Sequence, residues 1–397
     1  MKKLIFGYGI TGRAIEKYFL QNNIDFLIYD DYLPSAKTNI DKIITEVDEM
    51  FISPGIPPRN STLNKLIDND IKISTDLDLF ERINKSDAIK IGVTGTNGKT
   101  TFVKIVTEFL NKMGYSAISA GNIGNSPLEL INKKYDYIIF ELSSYQLHYL
   151  SDISLDYAII LNFASDHLDW HDSYKNYLSS KAKIFKFTKN ENVLFYDEIF
   201  KKFSKKKMSK ANNSLHLFSE NKNLSFSQEL VGSFLDLVYL LDLKIQNLED
   251  VCKNYLLKTK QIEHRYEIVN FQGGVTFIND SKATNFHAVT NAIKRSSNTT
   301  LILHGLTKNV PNEELIINDS VKKIIKPIDM KIKFKDFSGK VIHYESIRDI
   351  KTIILSEMEE GDTILFSCGG ASFNDFKNYE ERGNYFKNLV KEIENEI

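Results

Sequence analysis

Features that would define several other protein classes are scarce in this sequence. There are only two cysteines, Cys252 and Cys368, far apart and without metal-ligand spacing, which fits a reducing compartment where neither is bridged. With 51 basic and 52 acidic residues the net charge is −1, which argues against a protein built to coat nucleic acid. The longest apolar runs, such as 157–163, are much too short to span a membrane.

Leader sequences, internal repeats and low-complexity tails are not recognisable either. Lys2 and Lys3 run directly into the apolar residues 4–6, so we expect no secretion leader. These absences predict a soluble cytoplasmic protein. At 397 residues, the chain is long enough for two or three domains that each bury a core.

Short apolar runs alternate with helical patterns along the chain. Amphipathic spacing predicts helices at 102–113, 229–241 and 248–257, a hairpin turn is predicted at 272–274, and a closing helix is expected to start near Asp375. Strand-like runs occur at 2–6, 26–29, 50–52, 88–93, 116–119, 137–140, 157–161, 275–278, 300–303 and 363–366. This alternation predicts an α/β fold with parallel sheets, with ligand-binding residues at the strand ends.

The stretch 92–101, Gly-Val-Thr-Gly-Thr-Asn-Gly-Lys-Thr-Thr, has the pattern of a phosphate-binding loop. It follows a strand-like run and opens a helix, so its backbone N–H groups would surround phosphate oxygens. Lys99 would reach the terminal phosphates, and Thr100 would hold Mg²⁺. The first glycine of the Walker pattern should fall at Val93, however, and an ordinary glycine-rich turn is the alternative.

A second glycine-rich turn occupies residues 7–12, and the strand after it ends at Asp30. This is the dinucleotide fingerprint, with an acid at the right distance to bind a ribose, so a nicotinamide dehydrogenase is one alternative. The new unit that begins near Gly92 leaves room for only half a doubly wound domain. Such a half could hold a nucleotide diphosphate without a nicotinamide, or the glycines could simply allow close packing of helix on strand.

Polar residues also follow the strands of the central region. Glu141 comes directly after 137–140, and a carboxylate there suits Mg²⁺ that bridges nucleotide phosphates. His167 lies between Asp166 and Asp169 and predicts a metal or substrate site, with a structural histidine as the alternative. By default Lys181 and Lys183 would be solvated surface charges, as would the lysines of a predicted loop at 201–210.

Five motifs together resemble the ATP-dependent Mur ligases of peptidoglycan synthesis, from end to end of the chain. They lie at 94–100, 141–147, 166–169, 264–265 and 280–285, and the displaced glycine of the phosphate loop is the form these ligases use. Residues 9–12, 53–56 and 371–383 are most similar to the D-glutamate-adding members. The Asp-Asn-Pro-Arg motif of the diaminopimelate- or lysine-adding members is not found, and folylpolyglutamate synthetases lack the short N-terminal domain.

The resemblance implies three α/β domains and a ligase reaction. Residues 1–87 would be a Rossmann-like domain for the UDP-sugar, 88–262 a central P-loop ATPase-like domain with a parallel sheet, and 263–397 a Rossmann-like domain for the amino acid. The implied monomeric enzyme adds D-glutamate to UDP-N-acetylmuramoyl-L-alanine through an acyl phosphate, using ATP, two Mg²⁺ ions and a carbamylated Lys181. A related ligase for another amino acid, or a nucleotide-binding protein that is not a ligase, is the alternative.

The resemblance also assigns roles to individual residues. The catalytic residues would be Lys99, Glu141, His167, Lys181 and Lys282. The ATP-binding residues would be Gly95, Thr96, Asn97, Gly98, Lys99, Thr100, Thr101, His264, Arg265 and Asp280. The substrate-binding residues would be Thr11, Asp30, Ser53, Asn122, His167, Thr284, Lys308, Ser372 and Tyr379, and the Mg²⁺ ligands Thr100, Glu141, His167 and carbamylated Lys181. The family's usual His-Asn pair near 232–240 is replaced here by Gly-Ser-Phe-Leu-Asp at 232–236, and Tyr379 replaces its usual phenylalanine.

Overall fold

A computed structural model describes residues 1–36, 39–189, 192–195, 226–259, 262–307 and 314–396. Two compact units are formed. Unit 1 contains the described part of Met1–Glu220 together with Gln228–Gln246, and unit 2 contains the described parts of Asn221–Ser227 and Asn247–Ile397. The predicted site residue Lys308 and the predicted lysine-rich loop at 201–210 lie outside the described residues.

Unit 1 begins with a parallel sheet in which the described strands have the order β2-β1-β3-β4. Each strand is followed by a helix, and the elements in chain order are β1 Lys2–Phe6, α1 Ile10–Gln21, β2 Phe26–Tyr29, α2 Ile40–Glu46, β3 Val47–Ile52, α3 Ser61–Ile67, β4 Lys72–Ser74 and α4 Asp76–Ile83. Leu4 pairs with Leu27 on one side and with Met50 on the other. This register brings the ends of β1, β2 and β3 to one edge, where the glycine-rich turn 7–12 starts.

The second sheet of unit 1 is also parallel, with the described strands in the order β6-β7-β5-β8-β9. Its elements are β5 Ile89–Thr94, α5 Lys99–Lys112, β6 Ala117–Gly121, β7 Tyr137–Glu141, α6 Ser144–Tyr149, β8 Tyr157–Ile160, α7 Leu168–His171, α8 Tyr174–Ala182, α9 Ile184–Phe187, β9 Val193–Phe195 and α10 Gln228–Leu240. Apolar residues of β5, β7 and β8 are buried on both faces of this sheet, which explains their continuous apolar runs.

In unit 2 the described strands form a mixed sheet in the order β10-β11-β17-β12-β14-β16, in which the hairpin strand β10 is antiparallel and the other pairs are parallel. A small parallel pair, β13 with β15, lies outside it. The elements are α11 Leu248–Lys258, β10 Glu267–Gln272, β11 Val275–Asp280, α12 Phe286–Ile293, β12 Thr299–His304, β13 Glu314–Ile316, β14 Val321–Pro327, β15 Lys333–Lys335, β16 Lys340–Tyr344, α13 Ile350–Glu357, β17 Thr363–Gly369 and α14 Tyr379–Glu394.

The α/β class with parallel sheets is confirmed, and the predicted hairpin is present between β10 and β11. The three predicted ranges each contain a sheet of their own, while the boundaries at 87/88 and 262/263 stay predictions. The predicted start of the closing helix near Asp375 is wrong. Helix α14 begins at Tyr379, because the side chain of Asn378 caps it by accepting a hydrogen bond from the backbone N–H of Glu381. Within the described ranges, no helix is long and apolar enough to cross a membrane.

Asp78 ties helix α4 of unit 1 to the loop that follows α6. Its carboxylate is buried, with 3% of the residue exposed. One carboxylate oxygen accepts hydrogen bonds from the N–H and hydroxyl of Thr75 at 2.7 and 2.6 Å, completing a capping box. The other oxygen accepts from the backbone N–H groups of Ser151 and Asp152 at 2.9 and 2.7 Å. The side chain of Asp78 therefore links α4, which follows the last strand of the first sheet, to the loop that leads into β8 of the second sheet.

We expect Asp78→Ala to lower the free energy of unfolding of unit 1 by about 3 kcal/mol, because it leaves several buried donors without an acceptor. Urea-induced unfolding followed by tryptophan fluorescence measures this, since the single tryptophan, Trp170, lies in unit 1. The matched control Asp87→Ala, at an exposed carboxylate, should change the free energy by less than about 0.5 kcal/mol. Equal effects of the two variants would contradict the assigned role of Asp78.

Candidate functional site

The loop after β5 has the geometry of a phosphate cradle. Gly98 has a φ of 82°, a left-handed conformation that glycine adopts without strain, and it directs Lys99 into the first turn of α5. The ammonium of Lys99 donates to the carbonyl oxygens of Gly95 and Thr96 at 2.8 and 2.9 Å, so it lies across the loop. Thr100 and Thr101 follow in the first turn of α5, where the helix N-terminus favours an anion.

Asn162, which follows β8, holds this loop in place. Its backbone carbonyl accepts from the N–H of Thr96 at 3.0 Å, and its side-chain oxygen accepts from the N–H of Asn97 at 2.9 Å. Its side-chain N–H donates in turn to the carbonyl of Asn97 at 3.1 Å. Asn162 was not among the predicted site residues, although its position directly after a buried strand was a usable signal.

Glu141, at the end of β7, is a buried carboxylate with one unsatisfied oxygen. The residue is 1% exposed, and its Oε1 accepts from the side-chain amide of Asn122 at 2.8 Å. Its Oε2 is buried and has no hydrogen-bond partner among the described residues. A buried carboxylate oxygen of this kind fits a Mg²⁺ ion, which replaces the missing donor.

The protein ligands available to such an ion are few. Within the described part of the chain, no group of three or more His, Cys, Asp and Glu side chains is arranged to hold a metal. Mg²⁺ in nucleotide sites is held by one or two protein oxygens, with phosphate oxygens and waters completing its shell. Glu141 and the hydroxyl of Thr100 would supply the protein oxygens.

Lys181, on α8, is not a solvated surface charge. The residue is 2% exposed, and its ammonium donates to the carbonyl of Gly95 at 2.7 Å and to the hydroxyl of Thr94 at 3.4 Å. Burial, reinforced by the charge of Lys99, lowers the pKa of Lys181 well below its usual range. The default expectation for Lys183 is wrong as well, because its half-buried ammonium donates to the carbonyl of His148.

His167 lies at the same end of the sheet with its ring partly accessible. Its φ is 54°, and its backbone N–H donates to the buried Asp166 at 2.8 Å. Burial, aided by Asp169 and Asp166, raises the pKa of Tyr145, so this phenol keeps its proton and can donate it to Nδ1 of His167 at 2.5 Å. With Nδ1 as the acceptor, the ring proton belongs on Nε2, which lies 3.6 Å from Oδ2 of Asp166. This tautomer favours donation to an oxygen over ligation of a metal.

The predicted UDP-sugar residues of unit 1 surround the turn 7–12. Asp30 accepts hydrogen bonds from the backbone N–H groups of Tyr8, Tyr32 and Leu33 at 2.7, 2.8 and 3.1 Å. The hydroxyl of Ser53 donates to the carbonyl of Gly7 at 2.6 Å. These two side chains therefore fix the backbone around the turn, and Thr11 lies half-exposed in the first turn of α1.

Close packing explains one glycine of that turn. A Cβ atom on Gly12 would lie 2.3 Å from the carbonyl oxygen of Gly7, so only glycine lets α1 approach β1 this closely. The alternative interpretation, in which the glycines allow close packing of helix on strand, therefore applies to Gly12. It is compatible with a nucleotide at the same turn, because close approach of helix and strand is also part of the dinucleotide fingerprint.

Unit 2 assembles a second group of predicted residues after β11. Burial raises the pKa of Asp280 to about 6, and this carboxyl accepts from the hydroxyl of Ser367 at 2.7 Å and the N–H of Tyr266 at 3.0 Å. The ammonium of Lys282 lies 3.8 Å from the ring centroid of Tyr379. His264 is buried, with Nδ1 2.9 Å from the amide nitrogen of Asn279, whereas Arg265 and Thr284 are half-buried and Ser372 is buried.

Comparison with known proteins gives full-length relatives. Residues 93–249 match the family described as Mur ligase middle domain. The UDP-N-acetylmuramoylalanine--D-glutamate ligase of Francisella philomiragia is 31% identical, over 99% of this chain and 97% of its own. The ligase of the same name from Thermotoga maritima is 28% identical, over 98% of each chain.

Solved structures of other ligases share the fold. The MurF ligase of Thermotoga maritima in complex with ADP aligns with a TM-score of 0.59 at 15% identity, over 100% of this chain and 95% of that one. The UDP-N-acetylmuramate-alanine ligase MurC of Thermotoga maritima aligns with a TM-score of 0.55 at 14% identity, over 98% and 100%. The chain therefore belongs to the Mur ligase family, and it is similar over nearly its whole length to the members named as D-glutamate ligases.

Proposed function

We propose that this protein is an ATP-dependent ligase that joins D-glutamate to UDP-N-acetylmuramoyl-L-alanine, forming an amide bond, ADP and phosphate. The observation that carries the proposal is the buried, half-satisfied carboxylate of Glu141, which lies on the strand next to the phosphate loop. The substrates come from the full-length similarity to D-glutamate ligases. We also propose a cytoplasmic location and a monomeric enzyme, as the family resemblance implies.

The chemistry requires activation of a carboxylate, since a carboxylate does not react with an amine at neutral pH. In the proposed reaction the γ-phosphoryl group of ATP is transferred to the L-alanine carboxylate, which gives an acyl phosphate and ADP. The amine of D-glutamate attacks the acyl carbon, and the adduct expels phosphate and a proton to leave the amide. Both steps build negative charge on phosphoryl and acyl oxygens, so the protein acts mainly by positioning and charge neutralisation.

Different residues of unit 1 would position the substrates and neutralise the charge. The N–H groups of the loop 95–98 and of the first turn of α5 orient the phosphates. Lys99, which lies across the loop, would exchange its carbonyl partners for phosphate oxygens. Nε2 of His167 would donate to a substrate oxygen, beside Asn122 and the muramoyl group. Mg²⁺, when bound to Glu141 and Thr100, supplies charge neutralisation at the phosphates.

Carbamylation of Lys181 is part of the proposal. In this reaction the neutral amine of Lys181 attacks CO₂, a C–N bond forms, and one proton leaves to solvent, so that the neutral amine becomes an anionic carbamate. The buried environment favours the neutral amine, which is the form that reacts. The carbamate would supply the second carboxylate for a second Mg²⁺ ion beside Glu141.

The remaining assignments concern the glycine-rich turn 7–12 and unit 2. Thr11, Asp30 and Ser53 would hold the UDP, through the backbone that Asp30 and Ser53 arrange. His264, Arg265, Asp280 and Lys282 of unit 2 would contact ATP and the reacting phosphate. Thr284, Lys308, Ser372 and Tyr379 would bind the carboxylates of D-glutamate. The three domain ranges, 1–87, 88–262 and 263–397, follow from the same assignments.

Phosphate release by the purified full chain tests the proposed function. With ATP, Mg²⁺ and UDP-N-acetylmuramoyl-L-alanine, we expect release only when D-glutamate is added, and little with L-glutamate, L-alanine or lysine. The variant Lys99→Ala is the inactive control. Release that is indifferent to the UDP-sugar and the amino acid would instead indicate a nucleotide-binding protein that is not a ligase, and tight NADH binding in a fluorescence titration would favour a dehydrogenase.

We expect Lys181→Ala to lower kcat by at least about 100-fold, because it removes a ligand of the second Mg²⁺. A short-chain carboxylic acid should partly restore activity by occupying the space of the carbamate. Lys183→Ala is the matched control and should retain activity and show no rescue. Carbon-13 bicarbonate should add a carbamate signal to the NMR spectrum of the wild type that is missing from Lys181→Ala; full activity of that variant without the acid rules out the carbamate.

For Asn162→Ala we expect an increase of about tenfold in KM for ATP, equivalent to about 1.4 kcal/mol, because the loop 95–98 loses its side-chain support. Nucleotide titration and steady-state kinetics measure this change. The control Asn111→Ala removes an equivalent amide at the far end of α5, where it donates to the carbonyls of Thr107 and Ala117, and should leave KM unchanged. An unchanged KM in Asn162→Ala would show that the loop needs no support from the side chain of Asn162.

A further inference from the structure

Arg382, in the first turn of α14, has its guanidinium completely buried in unit 2, with 0% of the residue exposed. Its Nε donates to the hydroxyl of Ser281 at 3.0 Å, and its Nη2 donates to the carbonyl of the same residue at 2.7 Å. Its Nη1 donates to the carbonyls of His304 and Gly370 at 3.1 and 3.0 Å. The side chain thus joins the segments that follow β11 and β17 to the last residue of β12.

The charge of Arg382 has no counter-ion among the residues that the structure describes. Its hydrogen-bond acceptors are a hydroxyl and carbonyl oxygens, and within the described ranges no carboxylate oxygen lies within 4.0 Å of it. By comparison, Lys387 on the same helix contacts both Glu263 and Glu267. A buried cation without an anion is expensive, because neutral acceptors satisfy its donors without cancelling its charge.

A second cation reinforces the positive potential. Lys282 follows the residue that Arg382 contacts, and its ammonium lies over the ring of Tyr379. The hydroxyl of Ser281, which accepts from Arg382, donates to the carbonyl of Tyr379 at 2.8 Å. Burial together with the charge of Arg382 lowers the pKa of His304 to about 3, so the ring adds no positive charge of its own, while Asp375 places a partly exposed carboxylate 3.2 Å from its Nε2.

The local backbone is shaped around this guanidinium. Gly305 has a φ of 103°, and a Cβ atom there would lie 2.6 Å from Nη1 of Arg382 and 2.2 Å from the carbonyl oxygen of Ala371. No larger residue fits at that position without moving the strand ends. The same strand ends carry Thr284, Ser372 and Tyr379, to which the proposed function assigns the amino-acid substrate.

We propose that Arg382 is a positioning residue whose buried charge makes unit 2 selective for an acidic amino acid. This inference rests on the proposed function and concerns the same substrate. D-glutamate carries one more negative charge than D-glutamine at neutral pH, and the two are nearly the same size. A fixed positive potential at the strand ends therefore favours D-glutamate over its neutral analogue, and Arg382 exerts it without contacting the substrate.

A purely structural role of Arg382 would give a different experimental result. Removal of a side chain that only holds three strand ends together would reduce activity with every amino acid by the same factor. The informative quantity is therefore the ratio of kcat/KM for D-glutamate to kcat/KM for D-glutamine, and not the activity itself. Thermal unfolding of each variant reports separately on how much of the fold depends on the guanidinium.

The experiment compares the full-length wild type with Arg382→Met, Arg382→Gln and Arg382→Lys, using phosphate release with each amino acid. We expect the two neutral variants to lower the ratio at least about tenfold, and Arg382→Lys to keep it within about threefold of the wild type while losing activity. Arg295→Met is the matched control, since Arg295 is a half-buried arginine stacked 3.7 Å from the ring centroid of Tyr266, and it should leave the ratio unchanged.

The outcomes separate this inference from the proposed function. A wild type that does not use D-glutamate rejects the proposed function. If the wild type does use D-glutamate but the folded neutral variants keep the same ratio, the role of Arg382 is wrong and the proposed function stands. If neither neutral variant folds, Ser281→Asp decides, because it replaces the hydroxyl that accepts from Nε of Arg382 with a carboxylate counter-ion: a lowered ratio supports selection by charge, and an unchanged ratio contradicts it.

Discussion

The site in unit 1 depends on the parallel pairing of β5 with its two neighbours. Val93 pairs with Glu141 of β7 on one side and with Ile159 of β8 on the other. Because parallel strands end at one edge, this register brings the phosphate loop, the buried carboxylate and Asn162 together, although they are distant in sequence. A shift of one residue in either pairing would turn these side chains to the opposite face of the sheet.

Burial of polar groups is the common cause of the unusual chemistry in both units. Glu141 has a buried oxygen without a partner, Lys181 is a buried amine with a lowered pKa, and Arg382 is a buried cation beside neutral acceptors. Each is costly in a folded protein without its ligand, and each side chain lies at or contacts the ends of strands, where ligands bind in α/β sheets. A divalent cation, CO₂ and an anionic substrate are the species that would offset these three costs.

Much of the fold was predictable because its central strands are apolar throughout. Strands β1, β5, β7, β8, β12 and β17 appear as short apolar runs, and most are buried on both faces. Most of the strands that were missed are short or lie at edges: β15 is Lys-Phe-Lys, and β16 begins with a lysine and carries exposed residues. Such strands depend on pairing with a neighbour more than on their own composition, so their sequences carry little signal. Strand β14 was missed as well, although it is seven residues long and lies between β12 and β16.

The sequence by itself determined the α/β class, the phosphate loop and the chemical types of residue at the strand ends, because these depend on local periodicity and on glycine positions. Only the tertiary structure decided that Lys181 is buried beside the loop, that Asn162 supports it, and that Arg382 has no counter-ion among the described residues. The charge environment of a side chain depends on neighbours brought from distant parts of the chain. Lysine and arginine are exposed by default, so no local pattern marks the few that the fold encloses. The displaced glycine of the loop at 92–101 was visible at once, whereas the buried amine that contacts Gly95 became visible only in three dimensions.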